Sequence, residues 1–346
     1  MAKFYIVGGR TKPNAHRPPD FLGFQHALVL KLDSETGTVT EEVCWTSPSE
    51  NCPEDKPSFV FKAGTLTRRH LWVCSQTEIL AYSIPDFRLS KLISLPFFND
   101  LHHVTPTRRD TLLVAVTGLD MVAEITLDGR TVNEWSVLDE AVWSRFDRST
   151  DYRKISTTKP GRPHRAHPNF VFEYDDDIWT TRSDLKDAIS LTGPRRRIEI
   201  NLGLPHDGHV VARDVYFTTV NGFIVVANGE RVVRTIDLNE MMPDRHGRAL
   251  GWCRGIRILS EDEVVVGFTR IRPTKLLENL NWMLDRTIRL AVPKIPTAQS
   301  VPTRLVCVSA KRSTKLWEVN LEDHGMNAIF SIHDAAQPDF AASDNL

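Results

Sequence analysis

The chain has 346 residues, 41% of them hydrophobic and 25% charged, with a formal net charge of −1. That apolar fraction supports a sizeable core and argues against wholesale disorder. The balanced charge argues against a dedicated nucleic-acid binder, and the length accommodates two ordinary domains or one large all-β or α/β domain. No stretch approaches the ~20 apolar residues that a membrane span needs. A small-molecule substrate is therefore the expected partner, with neither membrane nor nucleic acid. The segment around Phe4, Tyr5, Ile6 and Val7 reads as a strand and not as a secretory segment. The five cysteines are spread out and form no CxxC pair, which predicts reduced, mostly buried thiols and a cytoplasmic location.

In chain order, short runs rich in Val, Ile, Leu, Phe, Trp and Thr predict strands. They lie near residues 4–7, 27–32, 39–45, 70–74, 111–116 and 121–126, then 177–181, 215–219, 223–227, 231–236 and 263–268. The helical signal is weak. Many evenly spaced strands imply a sandwich, a barrel or a propeller, and internal repeats choose among these. Thr67-Arg68-Arg69 and Thr107-Arg108-Arg109 lie 40 residues apart, each ahead of an apolar strand. Taking Gly64, Val104, Phe170, Val210 and Ile256 as equivalent, the spacings are 40, 66, 40 and 46, the long one being a period plus 26 residues. Units of about 40–50 residues with four short strands each are the signature of propeller blades.

The expected fold is therefore a single all-β domain, a β-propeller over residues 1–346. The first three strands lack an innermost partner. A C-terminal strand near residues 329–332 supplies it and closes a ring of six blades, or five if the terminal strands form one irregular unit. Two segments break the period: a basic loop insertion at 138–164 and an insertion at 272–303. The second is partly helical, with Leu276, Leu277, Leu280, Met283, Leu284 and Ile288 on one face.

The residues that carry chemistry cluster just before the innermost strands, which converge on the central channel of a propeller. These segments contain Asn99, Asp100, His102 and His103; His167 and Asn169; His206, Asp207 and His209; and Cys253 and Arg254. Period-two alternation places His103, His167, His209, Asp207 and Asn169 on one face. Imidazole and carboxylate donors of this kind suit a divalent zinc, iron or copper ion, with open coordination for Lewis-acid or oxygen chemistry. Arg254 is expected to hold an anionic substrate or to staple blades, and His102 and His206 to act as acid, base or nucleophile. No phosphate-binding glycine loop and no GxSxG elbow is present. The Asp175-Asp176-Asp177 run reads as a hairpin turn, and Arg195-Arg196-Arg197 as an exposed strand-turn run.

Asn99-Asp100, Pro168-Asn169 and Pro205-His206-Asp207-Gly208, with the later strands near 220–225 and 231–237, resemble six-bladed propellers of the SMP-30, gluconolactonase and paraoxonase type. That resemblance implies a calcium-dependent lactonase or esterase with Asn169 and Asp207 as ligands and Asn99 or Asp100 alongside. A second likeness, to arylsulfotransferase propellers, rests on histidines and an arginine at the channel mouth. Both are analogies of fold, which do not establish activity. The leading expectation is a metal-dependent hydrolase, lyase or oxygenase acting on a small polar or anionic substrate. From a different class comes a non-catalytic propeller that binds a protein or glycan.

Overall fold

The computed structural model describes residues 2–13, 23–55, 57–156, 165–242, 249–271 and 301–340. Its strands form six four-stranded antiparallel sheets. The first comprises β1 (Lys3–Thr11), β2 (Phe24–Asp33) and β3 (Val39–Trp45). The second is β4 (Gly64–Leu66), β5 (His70–Cys74), β6 (Ile79–Ser83) and β7 (Leu89–Ile93), and the third β8 (Leu101–Pro106), β9 (Thr111–Val116), β10 (Met121–Thr126) and β11 (Thr131–Ser136). The fourth is β12 (Pro168–Tyr174), β13 (Asp177–Arg182), β14 (Asp187–Ser190) and β15 (Arg197–Glu199). The fifth is β16 (Pro205–Val211), β17 (Asp214–Thr219), β18 (Phe223–Asn228) and β19 (Arg231–Asp237). The sixth is β20 (Trp252–Ile258), β21 (Glu263–Thr269), β22 (Arg304–Ser309) and β23 (Thr314–Asn320). The last strand, β24 (Ala328–Asp334), returns to pair with β1 and completes the first sheet. The molecule is a six-bladed β-propeller, closed by joining its two ends.

Burial explains the sequence pattern. Strands in the middle of a blade are covered on both faces by neighbouring blades, so they read as continuous apolar runs. In β9 the residues Leu112, Leu113, Val114, Ala115 and Val116 are all fully buried. Outermost strands are edges facing water and are polar, as in β11 and β19. The core lies between blades. Trp72, Cys74 and Ile79 of the second sheet pack with Val104, Leu112, Val114 and Met121 of the third. Each such side chain contributes roughly 1.5–3 kcal/mol by leaving water.

Of the basic insertion, residues 138–156 are described. They form a short helix (Val142–Arg145) and a single 3-10 turn (Tyr152–Lys154) whose Val142 and Tyr152 pack on the third sheet. The expected helix in the second insertion lies outside the described residues. All five cysteines are free and four are buried. Asp175 and Asp176 form the turn between β12 and β13, both in the left-handed region. Among the described residues no helix is long and apolar enough to cross a membrane.

One irregularity recurs and sets up the site. In β8, Leu101 pairs with Val116 and His103 with Ala115, leaving His102 as an extra, bulged residue. The same slip makes His206 extra in β16, Gly255 extra in β20 and Phe330 extra in β24. It also adds one residue between Pro168 and Val171 in β12. Ahead of β4, Lys62 N–H donates to the Cys74 carbonyl (2.7 Å) while Gly64 pairs with Val73, so Ala63 is the extra residue. Every innermost strand thus bends at one level of the channel, and a bulge re-aims the side chains around it.

Candidate functional site

The bulges build two polar layers. The first is the bulge level itself, where His102, His206 and Phe330 meet. The imidazole rings of His102 and His206 lie 6.0 Å apart, and His206 lies 5.6 Å from the Phe330 ring. Where the extra residue is small, Ala63 or Gly255, the preceding residue is a cation, Lys62 or Arg254. Lys62 Nζ sits 4.7 Å from the Phe330 ring centre and the Arg254 guanidinium 4.8 Å from it. His167 joins from the fourth blade, its ring 4.9 Å from that of His102. Asp120 fixes this approach by accepting the backbone N–H groups of Arg165, Ala166 and His167 at 2.8–3.1 Å, with Arg145 as counter-charge at 3.0 Å.

His102 Nδ1 donates to the Asp100 carbonyl at 2.9 Å, which leaves Nε2 as acceptor for Lys62 Nζ at 3.4 Å. The Asp100 carboxylate lies 3.7 Å from Lys62 Nζ. Burial lowers the Lys62 pKa, partly offset by Asp100. Burial also drives His102 and His206 well below the ordinary histidine range, helped by Lys62 at His102 and by Arg254 at His206. Both imidazoles are neutral at physiological pH.

The second layer is a chamber of about 400 Å³ formed by the residues just past the bulges, including Gly64, His103, Val171, Asp207, Ile256 and Ser331. Phe170, Phe172 and Phe340 supply apolar wall. Asp207 is buried, which pushes its carboxyl up to about 8. Burial takes His103 down to about 4, with His333 adding to the effect, and its ring lies edge-on to Phe170 at 5.0 Å.

On the wall contributed by β24, Ser331 Oγ lies 2.9 Å from His333 Nε2, and His333 Nδ1 hydrogen-bonds the Asp339 carboxylate. Ser331 and His333 are 3% and 2% exposed, and all three residues line the chamber. Burial opposes ionisation of Asp339, yet His333 and Arg257 hold its carboxyl down to about 2. A carboxylate only accepts, so the His333 proton sits on Nδ1 and Nε2 accepts the serine hydroxyl. Asp339 is further gripped by Arg257 Nη1 and by the Leu66 amide at 2.8 Å, while Arg257 Nη2 donates to the Gln337 carbonyl at 2.7 Å. These bonds pin the C-terminal tail to β4 and β20.

The residues expected from the sequence divide between the layers. His102, His206 and Arg254 meet at the bulge level together with His167. His103, Asp207 and His209 face the chamber. Asn169 is in neither group's hydrogen bonds; its Nδ2 donates to the Pro205 carbonyl at 3.2 Å, which ties the fourth blade to the fifth. The set His103, His167, His209, Asp207 and Asn169 is therefore not assembled at one point: His103, Asp207 and His209 share the chamber, while His167, which precedes the bulge of β12, lies at the bulge level and Asn169 is in neither group. His209 has both ring nitrogens occupied, Nδ1 by the Ile258 amide and Nε2 facing Arg257 Nη1, each at 3.2 Å. His167 shares its layer with Lys62 and Arg254. These donors do not fit a resident divalent cation, and among the described residues no group of three or more His, Cys, Asp or Glu side chains is placed to hold one.

Ser331, His333, Asp339, Arg257 and Lys62 were not legible as site residues. The one available signal was Ser331-Ile332-His333, two polar residues alternating within the closing strand.

Fold and site together define a six-bladed β-propeller with a two-layered polar channel. No family model and no curated protein matches the sequence. Among solved structures, a protein of unknown function from Bacteroides caccae is 12% identical, with 96% of this chain and 99% of that chain covered and a TM-score of 0.57. A chain of a nidogen/laminin complex is 10% identical, with 96% and 98% covered and a TM-score of 0.56. A streptogramin B lyase is 12% identical, with 76% and 80% covered and a TM-score of 0.46. The first two likenesses show the fold alone, and the third carries no argument about activity.

Proposed function

We propose that this propeller hydrolyses a small carboxylic ester or lactone, with Ser331 as nucleophile. What supports the reading is the Ser331–His333–Asp339 relay facing the chamber, which has the roles a nucleophilic serine requires. Ser331 Oγ bonds to the substrate carbonyl carbon while its proton passes to His333 Nε2. The bond to the leaving alcohol breaks, and the alcohol departs with that proton. Water then attacks the acyl-serine, giving a proton to Nε2 and releasing the acid as the serine hydroxyl is restored. Asp339 holds the imidazole in the tautomer this needs. Asp207, protonated at neutral pH, supplies a carboxylic O–H donor lining the same chamber. A volume of about 400 Å³ suits a small molecule.

The test is labelling of the full chain with a fluorophosphonate, alongside turnover of p-nitrophenyl acetate and butyrate. One equivalent of label is expected on Ser331. Ser331→Ala is expected to abolish labelling and cut turnover roughly 10³-fold or more, with an unchanged melting temperature. Label at another residue, or equal turnover by Ser331→Ala, would overturn the reading.

A further inference from the structure

We infer that the chamber takes a ligand carrying an ammonium group, bound by Glu173 across the channel from Ser331. That the same ligand is an ester rests on the hydrolase reading, whereas the cation site does not. Val171 and Ser331 are the residues just past the bulges of β12 and β24. From there each strand pairs on without a further slip, so alternation puts Glu173 on the face of Val171 and His333 on the face of Ser331. β12 lies between β8 and β16, and β24 between β20 and β4. The two strands are therefore on opposite sides of the six-bladed ring. Glu173 lines the chamber, facing the relay at a level about 7 Å along the strand from that of Ser331.

Glu173 is partly buried, and its Oε2 is out of contact with water and has no hydrogen-bond partner. A carboxylate desolvated on one side is costly unless a counter-charge joins it. The other titratable groups of the chamber do not supply one. His333 and Arg257 are taken up by Asp339. Asp207, His103 and His209 are uncharged at neutral pH. Arg108, in the turn after β8, borders the chamber but stays exposed to water and leaves Glu173 Oε2 unpartnered. An ammonium group brings both the missing charge and N–H donors. Phe172 and Phe340 also line the chamber and suit a short run of methylenes joining that group to a carbonyl.

The probes are methyl β-aminopropionate and methyl butyrate, which share one shape and differ by one positive charge. Both are titrated calorimetrically at low ionic strength into the full chain carrying Ser331→Ala, which removes the nucleophile. Saturable binding of the amino ester is expected, tighter than that of the neutral ester by roughly tenfold or more. Adding Glu173→Gln is expected to remove that preference by weakening the amino ester alone. The comparison of two esters on one chain keeps the test alive if Glu173→Gln does not fold. Equal binding of the two esters, no saturable binding of either, or a preference undiminished by Glu173→Gln would overturn the inference. Preference for the amino ester, with no label on Ser331 of the unaltered chain, would count against the hydrolase reading alone.

Discussion

Asp207 keeps its proton at neutral pH because burial penalises the carboxylate more than the nearby backbone amides of Gly208 and Ile256 favour it. Its pKa rises to about 8 in the folded chain, against ~4 when unfolded. Between these values the native state binds the extra proton, so the contribution is complete below about pH 4 and is lost as pH rises to about 8. His103 and His209 work in the other direction. Their pKa values fall to about 4, so their contribution is present above ~6.5 and is lost as pH falls toward 4. The two trends oppose each other in mildly acidic solution, and Asp207 alone acts above it. Asp207→Asn mimics the protonated acid and is expected to raise stability more at pH 8 than at pH 5, read from urea midpoints at the two values. An equal effect at both would mean that Asp207 is already ionised. Asp207 and His103 stood out in the sequence as polar residues ahead of inner strands. Their proton states did not, because burial depends on what packs around them.

The bulge is the element that decides what faces what. At Gly255 the chain has φ +74, and a Cβ there would lie 3.2 Å from Ile332. Gly255→Ala is expected to cost about 1–2 kcal/mol through the left-handed backbone, measured by urea unfolding at constant m-value. A neutral result would show that the bulge relaxes freely. Strand alternation alone assigned His103, His167, His209, Asp207 and Asn169 to one face. One extra residue per inner strand reverses parity at that point, so His167, ahead of the β12 bulge, joins His102 and His206, while His103, Asp207 and His209 share the chamber. The equivalence of Gly64 with Ile256 holds in the structure, while Val104 lies one place and Val210 three places beyond the matching residues His103 and Asp207. Apolar content marks a strand but is blind to a single inserted residue.

At the scale of the whole ring, β24 closes the first blade by pairing with β1, from Phe4 opposite Asp334 to Gly9 opposite Ala328. The same strand carries Phe330 into the bulge layer and Ser331 and His333 into the chamber, so closure and site formation are one event. A chain ending at Asn327 leaves the edge of β1 unpaired. It is expected to lose the full chain's cooperative unfolding and to associate, seen by urea titration and light scattering. A monomer with the same midpoint would show that the ring does not need this closure.

The propeller fold and its closure by a C-terminal strand were legible in the sequence, with six blades favoured and five left open until the six sheets were seen. They follow from a period near 40 residues and from apolar runs, both local features that packing between blades only repeats. The assembly of the site was not legible. Asp339 lies in a tail beyond the last strand and reaches Arg257 across 82 residues of chain. Lys62 and His206 share a layer only because six separate strands bend at one height along the channel. Pairings of that kind have no spacing of their own in the sequence, and they exist only once the ring is closed.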